Sequence, residues 1–184
     1  MKSNRFLNAH ENLISQCKQG DRKAQFELYR LYYKAMFNTS YRIVNDLMDA
    51  EDIMQDSFLK AFRYIDRYKA EVSFGAWLKK IVVNQSLDYL RKRKIELSAF
   101  DEDFDTAAED ETDSSWEVEN RILYEEVIRE IQRLPDGYRI IITLYLLEGY
   151  DHQEIGEILN ISASTSRSQF NRAKKRLIEN LNKK

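Results

Sequence analysis

The chain has 184 residues, 43% of them hydrophobic, with 29 Lys and Arg against 31 Asp and Glu for a net charge of −2. That is enough for one medium domain or two small ones with a packed core. A single cysteine excludes a disulfide framework within the chain, and with His10 and His152 as the two imidazoles no Cys/His zinc constellation can be assembled.

One proline and five glycines in this length predict an all-α chain, because helices tolerate those residues least. No apolar run approaches the ~20 residues that span a bilayer. Met1 to Glu11 is polar and carries no signal-peptide stretch, so a cytoplasmic protein without membrane insertion is expected.

Taken in chain order, a short helix over Glu11–Lys18 precedes a Gly20-Asp21 break, with Cys17 read as a small hydrophobe beside Ile14. Asp21 is a suitable N-cap for a long second helix carrying Phe26, Tyr29, Leu31, Tyr33, Phe37 and Tyr41 at mixed helical spacings. A third helix is expected over Asp49–Tyr68. Its inner face holds Ile53, Phe58, Leu59, Phe62 and Ile65, and its outer face Asp49, Asp52 and Asp56. The loop Lys69–Ser73 leads to a fourth helix, Phe74–Lys94. There Trp77, Leu78, Ile81, Val82 and Leu90 face inward, and Lys80, Asn84, Asp88 and Arg91 form an outward polar stripe.

From Ile95 to Asn120 there is no Lys or Arg, while eleven acids crowd the stretch. Its middle is expected to be a flexible linker, because an acidic run this poor in apolar residues cannot bury enough surface to order itself. Without the stretch, 29 basic residues face 20 acidic ones, so two basic-leaning domains flank the linker.

Beyond it, Val118–Leu134 has helical periodicity through Ile122, Leu123, Val127, Ile128 and Ile131, and Leu134-Pro135 ends it. Tyr138–Leu147 reads as a dense apolar helix closed by Gly149. Asp151 and Glu154 have capping-box spacing at the start of a short helix, His152–Leu159. The turn Asn160-Ile161-Ser162 leads to a last helix reaching Leu181.

Two short helices joined by so tight a turn describe a helix-turn-helix. Ile155, Leu159, Ile161, Phe170, Ala173 and Leu177 can pack the pair, and Gly156 permits close approach. The exposed face of the last helix then bears Arg167, Ser168, Asn171, Arg172, Lys175 and Arg176. Arg grips guanine O6 and N7 in bidentate fashion, Asn does the same with adenine, and nearby cations meet phosphates.

Three motifs carry a resemblance. The run Asp49-Ala50-Glu51-Asp52-Ile53-Met54-Gln55-Asp56-Ser57-Phe58-Leu59-Lys60-Ala61-Phe62 resembles region 2.2 of sigma factors. Phe74-Gly75-Ala76-Trp77-Leu78-Lys79-Lys80-Ile81-Val82-Val83-Asn84 resembles their F-x-x-W-L-x-x-I-A-x-N segment. Asp151-His152-Gln153-Glu154-Ile155-Gly156, with Ser164 to Leu177, resembles region 4.2. The chain is thus similar to the extracytoplasmic-function group of sigma-70 factors.

The resemblance implies three domains of work: 10–94 as region 2, 95–117 as the acidic linker and 118–184 as region 4. It further implies that Asp52, Gln55 and Asp56 meet the β′ coiled coil of core RNA polymerase. A second polymerase contact, with the β flap, is implied as well. At the −10 element it implies contacts from Tyr68, Lys69, Ser73, Trp77, Lys80, Asn84 and Arg91, with strands separated and a base captured. At the −35 element it implies reading by Arg167, Ser168, Asn171, Arg172, Lys175 and Arg176. An anti-sigma factor is an implied partner; a cofactor, a metal and a small-molecule substrate are not expected. Ser166 stands where an apolar residue is usual, which is expected to loosen the helix packing. Gln169 takes a place often held by Arg.

Two other function classes fit the sequence less well. A helix-turn-helix regulator that does not join polymerase explains Asp151–Leu181 but neither the Asp52–Asp56 motif nor the Phe74–Asn84 segment. An enzyme lacks support: both histidines are isolated, and no Gly-rich phosphate loop or nucleophile motif occurs.

Overall fold

The computed structural model describes residues 10–98 and 116–182, with side chains over 10–94 and 124–182. The acidic stretch at 99–115 lies outside the described residues, and so do Ile122 and Leu123 as side chains. The chain divides into two compact units, Met1–Glu96 and Leu97–Lys184. All regular structure among the described residues is helical. None of these helices is long and apolar enough to cross a membrane.

In the first unit α1 is Glu11–Lys18, α2 Arg22–Val44, α3 Leu47–Arg63 and α4 Phe74–Ser98. Local chemistry sets the boundaries. Asp21 Oδ1 accepts from the backbone N–H of Lys23 at 2.7 Å and of Ala24 at 3.2 Å, which starts α2. Asn45 ends it in the left-handed region, its N–H on Tyr41 O, and Asp46 then caps α3 through the N–H of Asp49. On α3 the residues Ala50, Ile53, Met54, Ser57, Phe58 and Ala61 are buried, at the i, i+3, i+4, i+7, i+8, i+11 spacing of one helical stripe. Met54, Phe58 and Ala61 share one core with Leu28 and Met36 of α2 and Leu78 and Val82 of α4, these four each at 2% exposure or less. Each fully buried Leu contributes on the order of 2 kcal/mol. Ser40 and Ser86 pair their hydroxyls at 3.1 Å across α2 and α4, so neither is stranded in that core. Cys17 is buried here, and burial pushes its thiol up to about 11, which keeps it protonated and unreactive.

Two expectations are corrected in this unit. The third helix does not run to Tyr68: it ends at Arg63, and Ile65–Arg67 form a single 3₁₀ turn. Leu59 does not face inward but is 63% exposed, because six residues after Ile53 it falls off the buried stripe. Asp49, on the outer side of α3 with Asp52, has partners on α4. It is bound by Arg93 at 3.4 Å and accepts from the Tyr89 hydroxyl, a bond that raises the tyrosine's pKa ahead of its burial.

The second unit comprises α5 (Trp116–Gln132), α6 (Asp136–Ile142), α7 (His152–Leu159) and α8 (Ala163–Leu181). Ile131, Leu134, Ile141, Ile142, Leu144, Ile155, Ala173 and Leu177 form its core. Arg139 is buried at the α5–α6 corner, where it pairs with Asp136 at 2.8 Å and donates to Leu134 O. The apolar run expected as one helix to Leu147 widens after Ile142 into a π turn, Thr143–Leu147, before Gly149 closes it at φ +80°. The wide turn seats Tyr145 against α7.

Asp151 and Glu154 form the capping box: Asp151 Oδ1 accepts from Gln153 and Glu154 N–H at 2.7 and 2.8 Å, and Glu154 Oε2 accepts from Asp151 N–H at 2.8 Å. Asp151→Ala is expected to cost about 1 kcal/mol in the local stability of α7. Hydrogen exchange at the Gln153 and Glu154 amides reads this directly, and Asp151→Ser is expected to restore most of it; unaltered protection in Asp151→Ala would refute the cap.

Candidate nucleic-acid and partner interfaces

The first surface lies on α8. Ser162 caps the helix by accepting from Thr165 N–H at 3.0 Å. From that start, 3.6 residues per turn carry Arg167, Ser168, Asn171, Arg172, Lys175 and Arg176 to the outside, and all six are exposed. Arg176 is partly neutralised by Glu179 at 3.8 Å. The buried side of α8 is Ser166, Ala173 and Leu177, packed on α7 through Ile155. The turn between the helices is tight. Ile161 N–H donates to Gly156 O at 2.9 Å, and a Cβ on Gly156 would stand 2.8 Å from Ile161 O. The geometry is that of a rigid helix pair offering a cationic, hydrogen-bonding face.

Ser166 and His152 differ from their sequence readings. Ser166 is fully buried and its hydroxyl lies 2.9 Å from His152 Nδ1, so a polar contact replaces the expected loosening. Nor is His152 isolated: it stacks on Tyr145 at 4.5 Å. His10 likewise meets Tyr32 edge-on at 5.8 Å.

The second surface joins the loop before α4 to the outer side of that helix. Lys80, Asn84, Asp88 and Arg91 are exposed along one stripe, and Arg91 pairs with Asp88 at 2.9 Å. Lys69 is exposed as well. Ser73 acts first as the cap of α4, accepting from Ala76 N–H at 3.2 Å. Trp77 is half-buried and packs on Tyr68 at 5.4 Å and Phe74 at 5.7 Å. Tyr68, expected as a direct contact, is instead 5% exposed. Its hydroxyl donates to Val72 O at 2.7 Å and its carbonyl accepts from Lys18 Nζ at 3.2 Å, so it holds the loop's shape from inside. Burial raises its phenol's pKa. Ala70 sits in the left-handed region at φ +58°, a strained position for a residue with a Cβ. A groove of about 370 Å³ opens between this loop and α1, lined by Ile14, Lys18, Tyr68, Lys69 and Ala70 among others.

The third surface is the outside of α3. Asp52, Gln55 and Asp56 are exposed, and Gln55 donates to Glu51 at 3.2 Å. The structure adds two residues to this face. Met48 is 79% exposed and Leu59 63%, and with Asp52 and Gln55 they follow the i, i+4, i+7, i+11 line of one helix face. Two exposed large apolar groups thus flank the carboxylates on this face. The signal in the sequence was Leu59's phase, six residues from Ile53.

Comparison with known proteins follows these surfaces. Residues 28–95 match the family model for Sigma-70 region 2, and residues 124–177 match that for Sigma-70, region 4. The ECF RNA polymerase sigma factor SigW of Bacillus subtilis is 31% identical over 178 residues, which cover 91% of this chain and 94% of SigW. The ECF RNA polymerase sigma-E factor of Haemophilus influenzae is 33% identical, over 91% of this chain and 92% of its own. Among solved structures, the sigma factor RpoE of Bartonella quintana, in complex with the anti-sigma factor NepR, shares the fold. Its TM-score is 0.61 at 23% identity, over 85% of this chain and 95% of that one.

Proposed function

The chain belongs to the extracytoplasmic-function group of the sigma-70 family, initiation factors that bind core RNA polymerase and direct it to promoters, and from that premise we propose how the work divides among its three surfaces. The face Met48, Asp52, Gln55, Asp56 and Leu59 docks on the β′ coiled coil. Its carboxylates and amide suit a partner rich in arginine, and its two apolar side chains supply the desolvated anchors. The β flap is the proposed second polymerase contact.

Arg167, Ser168, Asn171 and Arg172 read the −35 base edges, while Lys175 and Arg176 meet phosphates. Lys69, Lys80, Asn84 and Arg91 engage the −10 element as its strands part. An extruded base must be stacked or enclosed to offset the unstacking energy. The groove between α1 and the Lys69–Ser73 loop supports that role, with Tyr68 in its wall and Trp77 packed behind Tyr68. The observation that carries the reading is the exposure of all six α8 positions on one face of a capped, tightly turned helix pair.

Sigma factors are non-enzymatic, and no chemistry of its own is proposed for this chain. Its place is the cytoplasm, with polymerase. The anti-sigma factor bound to the Bartonella quintana relative supports a partner of that class here. The domain reading is 10–94 for region 2, 95–117 for the linker and 118–184 for region 4. Limited proteolysis of the free chain is expected to cut between Ser98 and Ser115 and to release two stable fragments. Protection across that whole stretch would show that the acidic segment is docked, for instance over the cationic faces.

The test of the function as a whole is copurification with core RNA polymerase followed by run-off transcription on genomic promoter fragments. Stable association with defined start sites is expected. A chain that bound DNA yet failed to associate with polymerase would be a helix-turn-helix regulator of another kind.

A further inference from the structure

A polar contact crosses the interface of α7 and α8. The helices meet through Ile155, Ala173 and Leu177, all buried. Ser166, in the first turn of α8, has no exposure, and its Oγ lies 2.9 Å from Nδ1 of His152, the first residue of α7. The imidazole lies nearly parallel on Tyr145, at 4.5 Å and 16°, and meets Phe170 edge-on at 5.6 Å and 62°. Tyr145 itself packs on Phe170 at 4.5 Å. The ring is held between the two aromatic partners on one side and Ser166 on the other.

A hydrogen bond is directional where apolar packing is not, and breaking this one takes from a fully buried hydroxyl its partner on α7. The turn supplies a second fixed point through Ile161 N–H on Gly156 O and the close approach at Gly156. One anchor at each end of α7 fixes the angle at which α8 crosses it. Arg167 and Ser168 directly follow Ser166, and Asn171 and Arg172 lie about one turn further on.

We propose that His152 and Ser166 are positioning residues for −35 recognition: their hydrogen bond sets the angle at which α8 presents Arg167, Ser168, Asn171 and Arg172, and so sets discrimination among −35 sequences. The proposal rests on α8 being the −35 reader.

The test uses holoenzyme assembled from the full chain and core RNA polymerase. One probe is a promoter fragment recovered by run-off transcription, and the other is the same fragment with its −35 segment scrambled. His152→Phe keeps an aromatic ring and removes Nδ1; Ser166→Ala removes one oxygen. Each is expected to lower the cognate-to-scrambled affinity ratio about tenfold, through the cognate probe alone. The double variant is expected to be no worse than either single, as for residues acting as one unit. His152→Asn, whose Oδ1 stands as many bonds from the backbone as Nδ1, is expected to stay within about threefold of the parent.

An unchanged ratio in Ser166→Ala, a loss shared equally by the scrambled probe, or His152→Asn as poor as His152→Phe would overturn the proposal. If His152→Phe fails to fold, Ser166→Ala decides alone. Arg172→Ala run alongside separates the two claims: if it too leaves the ratio unchanged, the assignment of α8 fails rather than the positioning role.

Discussion

Reversing both Asp52 and Asp56 to Lys is expected to lower affinity for core RNA polymerase about 100-fold, since like charges brought together at an interface cost several kcal/mol. The fold is expected to survive. Both side chains are exposed, and the core stripe of α3 lies on its other side. Neither is part of the Asp49–Arg93–Tyr89 cluster that ties α3 to α4. Leu59→Ala and Met48→Ala are expected to weaken the same complex by about 1 kcal/mol each, as truncated apolar anchors. Titration of labelled core polymerase with the variants, beside their thermal melts, gives both quantities. Parental polymerase affinity in the double reversal would remove this face from the account.

Arg172→Ala is expected to cost about 1–3 kcal/mol at the cognate −35 sequence and to relax preference there. The side chain is exposed on α8 one turn beyond Arg167 and Ser168, among groups able to bond base edges. Lys175→Ala is expected to behave differently. A phosphate contact carries no sequence information, so the loss falls on every sequence alike and the salt dependence drops by about one counterion. Affinities on cognate and scrambled duplexes, each over a salt series, distinguish the two. Equal losses on both duplexes for Arg172→Ala would place it on the backbone instead.

Much of the fold was legible because its signals are local. Asp21 before a long helix, Asp151 with Glu154 three residues on, and Leu134-Pro135 each act through backbone groups a few residues away. What escaped depends on neighbours distant in sequence. Tyr68 looks like an aromatic on a DNA-reading loop; only the packing of Phe74, Trp77 and Lys18 around it shows that it faces inward. Leu59 looks like core until the buried stripe of α3 is seen to pass it by. Asp49 belongs to an acidic run in sequence but to Arg93, forty-four residues on, in space. The partnership of His152 with Ser166 spans fourteen residues and relies on the π turn that seats Tyr145, a widening that no periodicity in the Ile-rich run announces. The candidate DNA-reading face of α8 was easier to read, because helical phase alone separates its exposed positions from Ser166, Ala173 and Leu177.

The central claim is that one surface reads the −35 duplex while another opens the −10 element. It is tested most directly by comparing Asn84→Ala and Arg172→Ala holoenzymes on one promoter, with permanganate reactivity reporting melted bases and footprinting reporting −35 occupancy. Asn84 is exposed on α4, away from the packed core, so its loss is expected to spare the −35 footprint and to reduce permanganate reactivity. Arg172→Ala is expected to lose the −35 footprint at limiting holoenzyme and to open normally once bound. Normal opening by Asn84→Ala, together with an Arg172→Ala variant that kept its footprint and lost only melting, would contradict the account.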